Sequence, residues 1–272
     1  MNLSEHIERV SHHISGIPAG IEIGIWLVGV CALWLYIGAV IVSNKRTGYR
    51  SWPIYRSVCW VCGVISALIA VIGPLAHRAH EDFTAHMLVH LLLGMLAPLL
   101  MALSSPVTLL LRTLSVHSAR RVSMLLRSWL SRVFTHPIVT SVLNIGGLWL
   151  LYTTDLYMRM HENLVLHLIV HFHVFIAGYL YTVSMIYMDP VSHRLPYRYR
   201  AIVMVLSLAG HGILSKYIYA LPPAGVPLEQ AELGGMLMFY GGDAIDAAII
   251  FILCFQWYRA TRPRIVVPSI GQ

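Results

Sequence analysis

Two pairs of histidines in this chain share a spacing that could do chemistry. His86 and His90 are four residues apart, and so are His167 and His171. In a helix, residues four apart lie on one face, so each pair can turn its rings toward a common centre. Imidazole is a ligand for copper, zinc, iron or nickel, and the same residue type ligates haem axially. Three further ionisable residues lie in apolar surroundings: His211, Asp243 and Asp246. Ionisable groups in lipid are costly and usually mark a site or pair with one another. The spacing predicts His86, His90, His167 and His171 as metal ligands, with His211 as a further partner. Asp243 and Asp246 would then orient imidazoles from behind, or pair with a neighbouring helix. The plain alternative at each single position is a hydrogen-bonded packing residue. His173 lies roughly 200° around a helix from His171 and reads as structural.

The elements that must position these residues are apolar and long. The chain has 272 residues, 57% apolar and 11% charged, with mean hydropathy +0.70. A soluble domain carries about a quarter charged residues, so this composition predicts an integral membrane protein. Seven segments are long enough to span, near 21–43, 55–76, 84–111, 136–153, 163–187, 199–219 and 234–258. Each needs roughly 20 residues to cross a core of about 30 Å. The fourth is the shortest. The fold class is therefore all-α, a polytopic bundle of seven helices over 21–258, with tails at 1–20 and 259–272. The N-terminus lacks a basic region followed by an apolar run, so no cleavable signal peptide is expected. A basic stretch between the third and fourth segments (SVHSARRVSMLLRSWLSRVFTH) reads as a short surface helix, with Val122, Leu125, Leu126 and Trp129 on one side.

The basic residues give orientation. Lys45, Arg46, Arg50, Arg56, Arg112, Arg120, Arg121, Arg127, Arg132, Arg194, Arg198, Arg200, Arg259, Arg262 and Arg264 fall on one side, and Arg9, Arg78, Arg159 and Lys216 on the other. Cytoplasmic loops are enriched in Lys and Arg, which predicts an outside N-terminus and a cytoplasmic C-terminus. The net charge of +7 is then topology, and no nucleic-acid partner is expected. On this arrangement only His117, His136 and His193 of the 15 histidines lie toward the cytoplasm. The rest are outside or in outer helix halves: His6, His12, His13, His77, His80, His86, His90, His161, His167, His171, His173 and His211. His86 and His90 would lie about 3 to 9 Å below the outer helix end, His211 roughly 12 Å, and the two aspartates roughly 13 to 18 Å. The tail histidines with His77 and His80 could gather a metal, or be a solvated tail and loop.

Other motifs carry less. Cys59 and Cys62 form a CxxC, and Cys254 shares their inner depth. Thiol redox or Cu(I) binding is the sharp reading and packing the plain one. Met87, Met95, Met101, Met158, Met160, Met236 and Met238 suit gap filling better than Cu(I) ligation. The seventh segment has no Lys for a retinal Schiff base. No Walker A, GxSxG, HExxH or glycine-rich phosphate cradle occurs. The residues point to handling a metal or haem, or to chaperoning a partner, rather than to an enzyme.

One further pattern joins these pieces. His86-Met87-Leu88-Val89-His90, then Ala97-Pro98, then Ser105-Pro106-Val107-Thr108-Leu109-Leu110-Leu111-Arg112 resembles the third helix of the CtaG-type cytochrome c oxidase (caa-type) assembly proteins. His136-Pro137, the run Leu156 to His173, Asp189-Pro190 and Asp243 extend the likeness over about residues 20–260. Val89 stands where that pattern often has Gln. The resemblance implies a bacterial cell-membrane protein that assists assembly of a haem–copper oxidase, through copper insertion or another late step. Its implied partners are oxidase subunits and other copper chaperones. Copper at the outer histidines is the expected cargo. A haem-binding electron carrier and a metal-free assembly scaffold are the rival readings.

Overall fold

In a computed structural model, residues 18–191 and 193–263 are described. His6, His12, His13, Arg9 and Arg264 lie outside the described residues, as do most of both tails. Among the described residues every regular element is helical. The spans are α1 (Ala19–Lys45), α2 (Ile54–Val71), α4 (Phe83–Leu103), α8 (Pro137–Thr153), α10 (Leu164–Met185), α11 (Tyr197–Ala220) and α12 (Leu228–Thr261). Short helices connect them: α3 (Pro74–Ala79), α5 (Pro106–Thr113), α6 (Val116–Leu126), α7 (Trp129–Phe134) and α9 (Leu156–Glu162). Six spans are long enough alone. The seventh is α8 together with α9, bent by 80° at Thr154–Asp155. The chain is thus a multi-pass membrane protein.

The third span ends earlier than the expected 111. Its helix stops at Leu103, and Ser105 takes a left-handed φ of 53°. Pro106 explains the break, because its ring crowds the right-handed α region for the residue before it. The chain restarts as α5, held at both ends. Asp189 caps its start, accepting from Val107 N (3.2 Å), Thr108 N (2.7 Å) and Thr108 Oγ1 (2.6 Å). Arg46 closes its end, donating to the carbonyls of Arg112 (2.7 Å), Thr113 (2.7 Å) and Leu114 (2.9 Å). These are charge-assisted bonds at both poles of one helix. Asp189-Pro190 therefore ends α10 and also fastens a helix from another part of the chain.

Arg200 is the main exception to the loop placement of the basic residues. It is 1% exposed, inside the first turn of α11, with its guanidinium over Tyr187 (4.0 Å) and Tyr197 (4.6 Å). The predicted surface helix is two helices, α6 and α7, broken at Ser128, which caps the second. Neither buries any residue, and Leu125, Trp129 and Leu130 are exposed beside Arg120, Arg121 and Arg127. A helix pair with apolar and basic side chains both exposed suits the membrane interface.

α4 is the most buried of the spans and lies at the centre. Its middle widens into a π-helical turn at Leu91–Leu96. Pro98 follows, with no N–H to give the Gly94 carbonyl four residues back. α10 fits against this turn: a Cβ on Gly178 would collide with the Gly94 carbonyl oxygen. A second π-turn, Val142–Gly146 in α8, is also met by α10. There His173 Nε2 donates to the Leu143 carbonyl (3.1 Å), over the bare Cα of Gly147. His173 is exposed and structural, turned from the other imidazoles as its spacing predicts.

Replacing Gly178 by alanine will force α4 and α10 apart and cost about 1–3 kcal/mol, the scale of overpacking in a close-packed interior. Gly38→Ala on α1, where a Cβ meets nothing within 4 Å, will be neutral or stabilising. Thermal unfolding of the two variants in detergent checks the contrast.

Candidate metal centre

The two histidine helices start in the same way. Asp82 caps α4, accepting from Thr84 N at 2.8 Å. Asn163 caps α10, accepting from Val165 N (2.9 Å) and Leu166 N (3.1 Å). His86 stands four residues after its cap and His90 eight. His167 and His171 stand at the same distances from theirs. The caps therefore fix both pairs at one depth below their helix starts. Gln230 of α12 adds a third tie, its Oε1 accepting from Phe83 N at 2.9 Å.

The expected single centre divides into two. The first gathers His86, His167 and His171 with two residues that spacing did not select, His80 and His161. Ring centroids lie 6.3 Å apart for His86–His171, 4.1 Å for His167–His171, 4.8 Å for His80–His167 and 6.1 Å for His86–His161. The second joins His90 of α4 to His211 of α11, with ring centroids 6.2 Å apart. Asp246 is buried and shares a small cavity with these two. Asp243, expected beside the imidazoles, is exposed on α12. His90 links the groups, since a second small cavity touches His86, His90, His171 and Tyr152. The two cavities measure about 20 and 10 Å³, room for one water-sized occupant each. Around these rings are Phe83, Met87, Tyr152, Tyr157 and Leu214, a buried apolar wall.

His161 escaped the spacing argument because the chain breaks at Asn163, so it shares no helix face with His167. The 80° bend between α8 and α9 returns it to the site. His80 sits just beyond α3 and was grouped with a loop. The signal for both was local enrichment in histidine, without a period.

The nitrogens differ in their partners. His171 Nδ1 donates to the His167 carbonyl (2.9 Å) and His161 Nδ1 to the Tyr157 carbonyl (2.8 Å). Each bond leaves a lone pair on Nε2 and orients the ring, as a carbonyl behind a ligating histidine does. His86 Nε2 is 3.1 Å from Tyr152 Oη. Both nitrogens of His90, Nδ1 of His167 and Nε2 of His211 are buried without a hydrogen-bond partner. Buried polar atoms are nearly always paired, so each orphan calls for an explanation, and an exchangeable ligand is one. Among the described residues no three His, Cys, Asp or Glu side chains stand together at metal-ligand spacing. The rings pair by stacking, with their planes 27° apart for His167–His171. The arrangement offers imidazoles in twos, and closing a three-ligand set would take ring rotation. Cys59, Cys62 and Cys254 are free thiols in α2 and α12, outside both groups.

A wider pocket of about 280 Å³ opens at this end of the bundle, lined by His80, Glu81, Tyr157, His161, Glu162 and Gln230. Burial lowers the pKa of His80, and the neighbouring His161 and His77 lower it further. A histidine with a depressed folded pKa binds more protons when unfolded. Its contribution to stability is therefore whole above the unfolded pKa of about 6.5 and is lost as pH falls through that value. Thermal unfolding in detergent will show a lower midpoint at about pH 5.5 than at about pH 7.5, and His80→Gln will shrink the difference.

Comparison with known proteins gives the chain relatives by sequence. An uncharacterized protein of Mycobacterium leprae is 30% identical over 260 residues, covering 86% of this chain and 39% of that protein. Uncharacterized proteins of Mycobacterium bovis and Mycobacterium tuberculosis are each 29% identical over 264 residues, with 87% and 39% covered. The chain thus spans about two fifths of the length of the curated relatives it matches. No solved structure matches. The family model of the cytochrome c oxidase caa3 assembly factors matches residues 34–260, helices α2 to α11 entire with the second part of α1 and nearly all of α12, both histidine groups among them, and the chain belongs to that family.

Proposed function

We propose that this protein assists assembly of a haem–copper cytochrome c oxidase by carrying copper through its histidine groups toward the oxidase. The observation that carries this reading is the set of buried imidazole nitrogens without partners, on His90, His167 and His211. Imidazole suits copper. A protein whose task is delivery needs a site that lets go, and imidazoles in pairs hold less tightly than a closed set of four. Copper would enter at the pocket of His80 and His161, pass to His167, His171 and His86, and reach His90 and His211. Asp246, buried in the same cavity as that last pair, would orient or balance it.

The basic end of the bundle faces the cytoplasm on this reading, by the Lys and Arg bias. The N-terminus and the histidine end then face outward, in the cell membrane of a bacterium. Oxidase subunits would be the recipients and other copper chaperones the donors. Copper here is cargo, and no catalytic step is assigned.

The test is metal content. Wild type, His86→Ala, His171→Ala and His173→Ala would be purified in detergent, loaded with Cu(I) under reducing conditions and washed. Wild type and His173→Ala will retain copper. His86→Ala and His171→Ala will lose affinity by about tenfold or more, the scale seen when a ligand or its orienting partner is removed. A copper-free wild type, or equal retention in all four proteins, sinks the proposal. A Soret band in the purified protein would assign haem instead.

A further inference from the structure

The opposite end of the bundle holds a second pocket, and it is built from arginine. It measures about 370 Å³ and is lined by Tyr187, Arg194, Tyr197, Arg200, Gln256 and Arg259. Arg200 forms its inner wall. Its Nη1 donates to the Met185 carbonyl, and its Nε is buried without a partner. Tyr187 and Tyr197 flank the guanidinium and fix its plane. Arg194 and Arg259 are exposed at the mouth. Among the described residues none of the three is ion-paired to a carboxylate. A buried arginine ordinarily has one, because an unpaired charge in the interior is expensive. α11 also starts here, at Tyr197, with no side chain capping its first turn. The positive end of a 24-residue helix thus lies at the pocket, which Tyr197 and Arg200 of its first turn line.

We infer that this pocket binds a phosphate group at the arginine-rich membrane surface. A guanidinium fork matches phosphate oxygens, and the two exposed arginines at the mouth can meet the remaining ones. Two sources carry that group, an anionic phospholipid headgroup and free phosphate. The surface beside the pocket favours the lipid. Phe251, Phe255 and Tyr258 are exposed on α12, which lines the pocket with Gln256 and Arg259, and Arg259 lies over Phe255 at 5.7 Å. Acyl chains could lie along those rings while the headgroup meets the arginines, as basic pockets between membrane helices do with acidic lipids. The site is independent of the histidine groups and of their cargo.

The experiment is a thermal shift on the full chain in detergent, stripped of lipid. Phosphatidylglycerol, phosphatidylcholine and inorganic phosphate are added separately at matched ionic strength. The probe variant is Arg194→Gln with Arg259→Gln, both exposed and so tolerated by the fold. Phosphatidylglycerol will raise the unfolding midpoint, phosphatidylcholine will not, and the double variant will lose at least half of the rise. A rise with inorganic phosphate alone, lost in the variant, supports the same pocket and assigns the soluble source. No rise with either anion, equal rises with both lipids, or a rise kept in full by the variant overturns the inference.

Discussion

The contact between Gly94 and Gly178 is the constraint on which the histidine arrangement depends. Two transmembrane helices approach this closely only where both backbones are bare, since lipid offers no hydrophobic force to drive them together and packing must do it. Here the approach is closer still, because a π-turn and Pro98 put the Gly94 carbonyl where α10 passes. The same helix meets the second π-turn through His173 and Gly147. α10 is thus keyed to α4 and to α8 at two irregular turns. Neither His86 nor His171 could approach the other across ordinary side chains. Gly242 does a similar service for His211, whose ring lies where a Cβ would stand.

Depth comes from the caps and approach from the glycines. With Asp82 and Asn163 setting the starts, two helices deliver imidazoles at the fourth and eighth positions after their caps. That symmetry alone would make one four-ligand centre. It does not, because the faces are offset. His86 turns toward α10 and the bent α9, while His90 turns toward α11. A row of imidazoles results, with an open pocket at one end and a buried carboxylate at the other. Such a row suits passage better than storage. It also explains the apolar wall of Phe83, Met87 and Leu214, which keeps water from the rings that hold no partner.

The two ends of the molecule divide the chemistry between them. The histidine end is tied by Asp82, Asn163 and Gln230 and carries the clustered imidazoles. The arginine end is fastened by fixed charges. Asp189 and Arg46 clamp α5 from both poles, and Arg200 sits between aromatic rings. Arg112 joins this network over Trp52 at 5.0 Å and Tyr49 at 5.2 Å. Clamping the short helix in this way braces the lower half of α4, so the π-turn above it is held from below.

Sequence alone determined the all-helical membrane class, the number of apolar segments and the family, because apolar runs and local motifs are properties of the chain itself. It also placed His86, His90, His167 and His171 on shared faces, since a helix turns by a constant angle. What it did not hold was the offset between helices. The division into two groups follows from which neighbours the rings meet, His86 facing α10 and α9 and His90 facing α11, and that choice leaves no mark in the periodicity. His161 reached the site through an 80° bend. Arg200 was counted among the charges of the cytoplasmic side, and only packing shows it buried between Tyr187 and Tyr197. Local covalent geometry writes the elements into the sequence, while contacts between distant backbones decide which of their faces meet.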